Sequence, residues 1–319
     1  MNRLIKIFCV LLLFSQQAFG QTEKEAAVTY EKAAEFFNSE QYGKALEITE
    51  QLIKRHPKNH IAWTLKGQAL FNLGKEDEGL TAISKAISLN PNYSEAYGYR
   101  AVMHHLLGNT ELAIKDIAIA IKDDPNNIEL LLIRGSFYHR TGVFNKALGD
   151  YNTILANDPN NYTALTFRAL AFKSSNNIDK ALVDLDKAVN ISPNESFAFE
   201  ERAHIFTKLG RYAEAIEDWS KAINNLSGNE SRPLLRAFAY NNRGFAYFKS
   251  GDNTLALKDI NQSLQMVPTN SYAYRNRALL YLEKEDKEKA CADIARALEM
   301  GFEEQYGDEI GKLRVLHCQ

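Results

Sequence analysis

Prolines stand at Pro57, Pro91, Pro125, Pro159 and Pro193, each thirty-four residues after the one before. A fixed period of that size is the mark of supersecondary units that stack on their neighbours, so it rules out most single-core folds. Aligned on the prolines, the chain divides into units 26–59, 60–93, 94–127, 128–161, 162–195 and 196–229, then 237–270, which ends near Pro268, and 271–304. Only residues 230–236 fall out of register.

Within each unit a small residue recurs early: Ala33, Gly67, Ala101, Gly135, Ala169, Ala203, Gly244 and Ala278. Three residues on stand Phe36, Leu70, His104, Tyr138, Phe172, Phe206, Tyr247 and Tyr281, so small and bulky residues share one helical face. A second small set, Ala45, Gly79, Ala113, Ala147, Ala181, Ala215, Ala256 and Ala290, answers the first. Facing small residues let two helices approach closely while the large ones fill the space beside them. Gly74, Gly108, Gly142, Gly210 and Gly251 fall between the two helices, where a chain commonly turns left-handed, and Asn176 takes that place in the fifth unit. Each unit is therefore expected to be a helical hairpin, closed by a proline that cannot continue the second helix.

The pattern Tyr97-x-x-Arg100-Ala101, Gly108, Ala113-Ile114-x-Asp116-x-x-x-Ala120 and Pro125, repeated across eight units, resembles the tetratricopeptide repeat. The aromatic at the fourth place is matched by Trp63, Tyr97, Phe199, Tyr240 and Tyr274, replaced by Leu131 and Leu165, and poorly matched by Thr29. The resemblance implies an all-α fold, a right-handed superhelical solenoid of about eight hairpins, which binds a protein or peptide in a concave groove lined by the first helices. Residues 305–319 should cap the array of residues 21–304, with Ile310, Leu313 and Leu316 at helical spacing.

Composition places the chain among globular proteins, with 45% hydrophobic and 24% charged residues. Residues 1–20 follow the order of a secretory leader: Arg3 and Lys6, the apolar run Ile7 to Phe14, then Ala18-Phe19-Gly20 as a cleavage site. The mature chain is then expected to begin at Gln21 and to work in the periplasm or outside the cell. An apolar run of eight residues is far short of the eighteen or so that cross a bilayer, so no membrane span is expected. Removing Arg3 and Lys6 from 38 basic residues leaves 36 against 40 acidic ones, which gives no general attraction to nucleic acid. Loss of the leader also takes away Cys9 and leaves Cys291 and Cys318, which an oxidising compartment can join into one disulfide stapling the cap.

Arg100, Arg134, Arg168, Arg202, Arg243 and Arg277 recur at one place, and Asp116, Asp150, Asp184, Asp218, Asp259 and Asp293 each follow sixteen residues later. Six copies point to helix-to-helix bonds rather than to catalysis. His104 falls at the bulky core place and reads as a hydrogen-bonded buried imidazole. His105 and His139 occupy equivalent places on adjacent first helices, but two histidines without a third ligand make a poor metal site, and groove surface is the plainer reading.

If the resemblance holds, the second, fifth, ninth and twelfth places of each unit line the groove. They include Phe71, His105 and His139, then a denser aromatic set of Phe197, His204, Phe238, Phe245, Phe248 and Tyr272 in the last three units. Such residues either mark a partner site or pack against the next helix or the displaced segment. The family's carboxylate clamp is not matched, since Thr64, Gly98 and Leu132 stand at the fifth place. Pro233 suits the first turn of an elongated helix. Seven Asn-x-Ser or Asn-x-Thr triplets fall mostly in turns. No phosphate loop, nucleophile elbow or zinc signature is present, and no cofactor is expected. The expected function is therefore a non-enzymatic scaffold holding a protein or peptide, with a purely structural spacer as the alternative.

Overall fold

A computed structural model of the protein describes residues 21–227 and 232–318 of the chain. The expected leader, residues 1–20, and residues 228–231 at the start of the displaced segment lie outside the described residues. Regular structure among the described residues is entirely helical. The chain forms two compact units, residues 1–167 and 168–319.

The first unit contains the hairpins α1 (Gln21–Asn38) with α2 (Tyr42–Arg55), α3 (His60–Asn72) with α4 (Glu76–Leu89), α5 (Ser94–Leu106) with α6 (Thr110–Asp123), and α7 (Ile128–Arg140) with α8 (Phe144–Asn157). The division falls inside α9 (Tyr162–Ser174), which is followed by α10 (Ile178–Ile191). The second unit continues with α11 (Ser196–Lys208) and α12 (Tyr212–Ser227), α13 (Pro233–Lys249) and α14 (Asn253–Met266), then α15 (Ser271–Glu283) and α16 (Lys287–Glu299). It ends with α17 (Phe302–Tyr306) and α18 (Glu309–His317).

Local chemistry sets these boundaries. In the turns Pro57-Lys58-Asn59, Pro125-Asn126-Asn127, Pro159-Asn160-Asn161 and Pro268-Thr269-Asn270, the proline stops one helix and the asparagine starts the next. The asparagine side chain accepts a bond from the backbone N–H three residues on, at 3.0 to 3.3 Å. The turn inside a hairpin needs one left-handed residue, supplied by Gly74 at φ +77° in the second unit of the repeat and by Asn176 at φ +61° in the fifth. Glu40 and Glu285 hold the same place in the first and last hairpins at φ 59° and 58°, so those two turns carry strain that glycine would relieve. Pro233 sits in the first turn of α13, which runs seventeen residues where most first helices run thirteen.

Small residues bring the two helices of a hairpin into backbone contact. Ala33, Ala101, Ala203 and Ala278 are fully buried, as are Ala45, Ala113, Ala215 and Ala290 facing them. In the second hairpin a Cβ on Gly67 would lie 2.8 Å from the carbonyl oxygen of Gly79 and 2.4 Å from Ile83 Cγ1, so no side chain fits there. One buried residue lies sixteen positions after each small one: Thr49, Ile83, Ile117 and Tyr151 form the spine of the first unit's core, and Leu185, Trp219, Ile260 and Ile294 that of the second.

The six Arg–Asp pairs all close. Arg202 Nε and Nη2 each lie 2.7 Å from an Asp218 carboxylate oxygen, and the other five pairs repeat that two-bond fork. Several arginines reach back as well, Arg100 to Ser84, Arg202 to Asp186, Arg243 to Ser220 and Arg277 to Asn261, each on the second helix of the preceding hairpin. Lys66 does the same toward Glu50, at 2.8 Å. The Asp218 hydrogen bond raises Arg202 above the ordinary guanidinium range, while burial pushes the Asp218 carboxyl up against the pull of its partner.

Asp218 is buried and Arg202 keeps a second carboxylate, so the two sides of this fork are unequal. Arg202→Ala strands a buried carboxylate and should cost about 3 kcal/mol. Asp218→Ala leaves the guanidinium with Asp186 and solvent and should cost about half of that. Urea denaturation at neutral pH decides, and equal losses would show that desolvation of Asp218 is not the governing effect.

Candidate functional site

The second unit carries a cavity of about 530 Å³. Most of its walls come from first-helix places two, five, nine and twelve. Helix α11 supplies Glu200, His204 and Thr207, α13 supplies Phe238, Asn241 and Phe245 together with Leu235, Ala239 and Asn242, and α15 supplies Tyr272. Two walls come from elsewhere: Trp219, from the core spine on α12, and Tyr306, at the end of α17.

Trp219 is almost wholly buried, and its ring meets the His204 ring edge-on at 4.7 Å. Its indole N–H has no hydrogen-bond partner within the described residues, which leaves one donor at the site unspent. His204 lines the cavity beside Trp219 and is exposed on its outer side. Burial lowers its pKa, Glu201 opposes that, and Lys173 adds to it, so the imidazole is held toward the neutral form. Burial raises the Glu200 carboxyl, assisted by Glu201 and opposed by a hydrogen bond with Ser196 and by the charge of Arg232.

A polar ladder stiffens the floor. Arg275 Nη1 donates to Asn276 Oδ1 at 2.8 Å, Asn276 Nδ2 donates to Asn241 Oδ1 at 3.0 Å, and both asparagines are buried. The Arg275 guanidinium also lies 5.5 to 5.7 Å from the ring centres of Tyr272 and Phe245 and is paired with Glu309 on α18. Tyr306 stands 5.1 Å from Tyr272 and 5.0 Å from Phe302, whose ring is fully buried beneath the cap. Two of the cavity's supports therefore depend on how the C-terminal helices are seated.

Cys291 on α16 and Cys318 just after α18 are joined in a disulfide. The cap consists of two helices rather than one, separated by Gly307 at φ +93°. Ile310 is fully buried and Leu313 half-buried, but Leu316 is 72% exposed. Two steps of three residues on a 3.6-residue helix turn Leu316 away from Ile310, and His317, one full heptad on, faces the body instead.

The aromatic residues singled out from sequence separate into groups. His204, Phe238, Phe245 and Tyr272 come together in the cavity, whereas Phe197 and Phe248 do not line it. Phe248 is a correction to the groove reading. It is 8% exposed and wedged against Ala256 and Leu280, because the next hairpin closes over the last turn of α13. In the first unit Phe71 packs on the cluster of Ile83, Ala86 and Met103. His105 stacks on Phe137 at 4.2 Å and shares a hydrogen bond with Thr110, and His139 packs on Phe144 at 5.6 Å. His104 is only half-buried and its buried Nδ1 has no partner among the described residues, so the hydrogen-bonded core imidazole expected there does not form. No group of three His, Cys, Asp or Glu residues that could hold a metal occurs among the described residues. None of the described helices is long and apolar enough to cross a membrane.

Two family models match the chain. Residues 34–146 match the N-terminal TPR repeats region of Psidin, and residues 242–303 match a tetratricopeptide repeat model. The repeats in these two stretches are of the tetratricopeptide kind. Among solved structures, a tetratricopeptide repeat protein from Parabacteroides merdae is similar with a TM-score of 0.61 at 23% identity, over 82% of this chain and 99% of its own. Yeast Tom70 is similar with a TM-score of 0.61 at 14% identity, over 99% of this chain and 69% of its own. The STIP1 homolog protein of Dictyostelium discoideum is 35% identical over 74 residues, 21% of this chain, and the match spans only 13% of that relative. The structural likenesses establish the tetratricopeptide fold and leave the site to be read from its own residues.

The disulfide closes a loop of 27 residues around the cap. By loop-closure entropy it should stabilise the native state by about 3.5 kcal/mol. Reduction, or Cys318→Ser, should therefore lower the denaturation midpoint of the second unit while leaving its helical dichroism at low denaturant intact. Identical unfolding curves with and without reductant would show that the staple carries no load.

Proposed function

We propose that the chain is an interaction scaffold that works after export and holds a protein or peptide segment against the cavity of its second unit. The observation that carries this reading is the cavity itself. It unites five aromatic side chains, Trp219, Phe238, Phe245, Tyr272 and Tyr306, with the imidazole of His204 and the half-buried carboxylate of Glu200. Apolar walls with a few convergent polar groups are the usual composition of a binding site, and exposed aromatics are enriched at interface hot spots.

Export rests on the order of residues in 1–20 and is consistent with the Cys291–Cys318 disulfide, which persists most readily in an oxidising compartment. Nothing in the site supplies a nucleophile with its base, and no reaction is proposed for it. The match to part of the STIP1 homolog and the fold shared with other tetratricopeptide proteins fit a role in protein association.

Phe238 and Tyr306 are 37% and 52% exposed, so both can be truncated without opening the core. In affinity capture, the Phe238→Ala/Tyr306→Ala chain should retain a specific partner about thirtyfold less well than the parent, with an unchanged melting curve. The same partners held equally by both chains would favour a structural spacer. A mature protein whose intact mass still includes residues 1–20 would contradict export.

A further inference from the structure

We infer that the cavity takes a basic side chain, a lysine or arginine of the partner segment, with its stem against the aromatic walls and its head on Glu200. This rests on the reading that the cavity is the partner site, and it adds the chemistry of what enters.

Glu200 is the one carboxylate that lines the cavity, and no lysine or arginine lines it. The cations nearby are committed elsewhere: Lys173 is paired with Glu201, and Arg275 with Glu309. Arg232 acts on Glu200 through space, and the imidazole of His204 is held toward neutrality by burial. Among the lining residues, Glu200 is thus the one group that can offer a negative charge to an occupant.

Consider what each class of occupant does to that carboxylate. An acidic residue places like charge beside it. An apolar side chain fills the aromatic walls but strips remaining water from a group whose burial already disfavours its charged form, and offers nothing in return. A lysine or arginine satisfies both demands. Its aliphatic stem lies along Phe238 and Tyr306, its head meets the carboxylate, and the ring faces add a cation–π contribution. The buried Asn241 amide, held by Asn276 and Asn242, keeps the floor beneath the head fixed.

The test is a random dodecapeptide display library panned on the full chain, followed by synthesis of the enriched peptides. Binding is read from Trp219 fluorescence in a Trp63→Phe background, since these are the chain's two tryptophans. The enriched peptides should share a lysine or arginine beside an apolar residue, and changing that lysine to norleucine should weaken binding about tenfold or more. Glu200→Gln, with an unchanged melting curve, should weaken binding of the parent peptide by the same factor and have no further effect on the norleucine peptide. Peptides that share no basic residue, or that bind Glu200→Gln as tightly as the parent, overturn the inference while their sensitivity to Phe238→Ala keeps the partner site standing. If no enriched peptide is sensitive to Phe238→Ala, the cavity is not the partner site and both readings fall.

Discussion

Everything in this fold depends on how closely two helices can approach. The hairpin has no core of its own beyond what its two faces trap between them, so contact has to be made at backbone distance, with alanine and glycine at the crossing. At Gly67 the crossing is so tight that a methyl group would press on the backbone of α4 as well as on Ile83. At Gly135 the space a methyl group would need is taken by the Tyr151 ring, 2.5 Å from where the Cβ would stand. At these two crossings the space beside the backbone is already filled by the spine residue sixteen positions later, Ile83 or Tyr151, and only glycine fits.

The spine is also where the site begins. Trp219 occupies the place that isoleucine or leucine holds in most other hairpins, and its larger ring extends past the crossing at Ala203 to meet His204. A core position thereby becomes the back wall of a cavity. The Arg–Asp forks beside the spine hold the two helices in register by directional, two-point bonds, and the reach-back contacts of Arg100, Arg202, Arg243 and Arg277 tie four of the hairpins to the ones before them. Fixed helices are what allow residues from α11, α13 and α15 to converge on one volume.

Much of the fold was legible because its determinants are local and repeated. The prolines, the left-handed turn residues and the paired small residues each act within one hairpin, and eight copies average out the exceptions, such as Asn176 in place of glycine. The cavity was half legible. His204, Phe238, Phe245 and Tyr272 follow from the groove places of the repeat, whereas Glu200 and Asn241 hold the same places but, as polar residues on a helix surface, carry no signal that separates them from solvated positions. Trp219 looked like ordinary core, and Leu235 and Tyr306 belong to the displaced segment and the cap, where the period gives no guidance. Phe248 erred the other way: its place is a groove place, but whether a groove residue stays open depends on the following hairpin, which periodicity alone does not weigh.

Backbone-distance crossings, not helix propensity, decide stability here, and two glycine-to-alanine exchanges separate the effects. Gly149 lies in α8 with open space around it, so Gly149→Ala should gain about 1 kcal/mol from propensity alone. Gly67→Ala collects the same gain but must push Gly79 and Ile83 of α4 away from α3, and should end at least about 1 kcal/mol less stable than the parent in urea denaturation. If Gly67→Ala proves as stabilising as Gly149→Ala, the helices do not meet at that distance and the account is wrong.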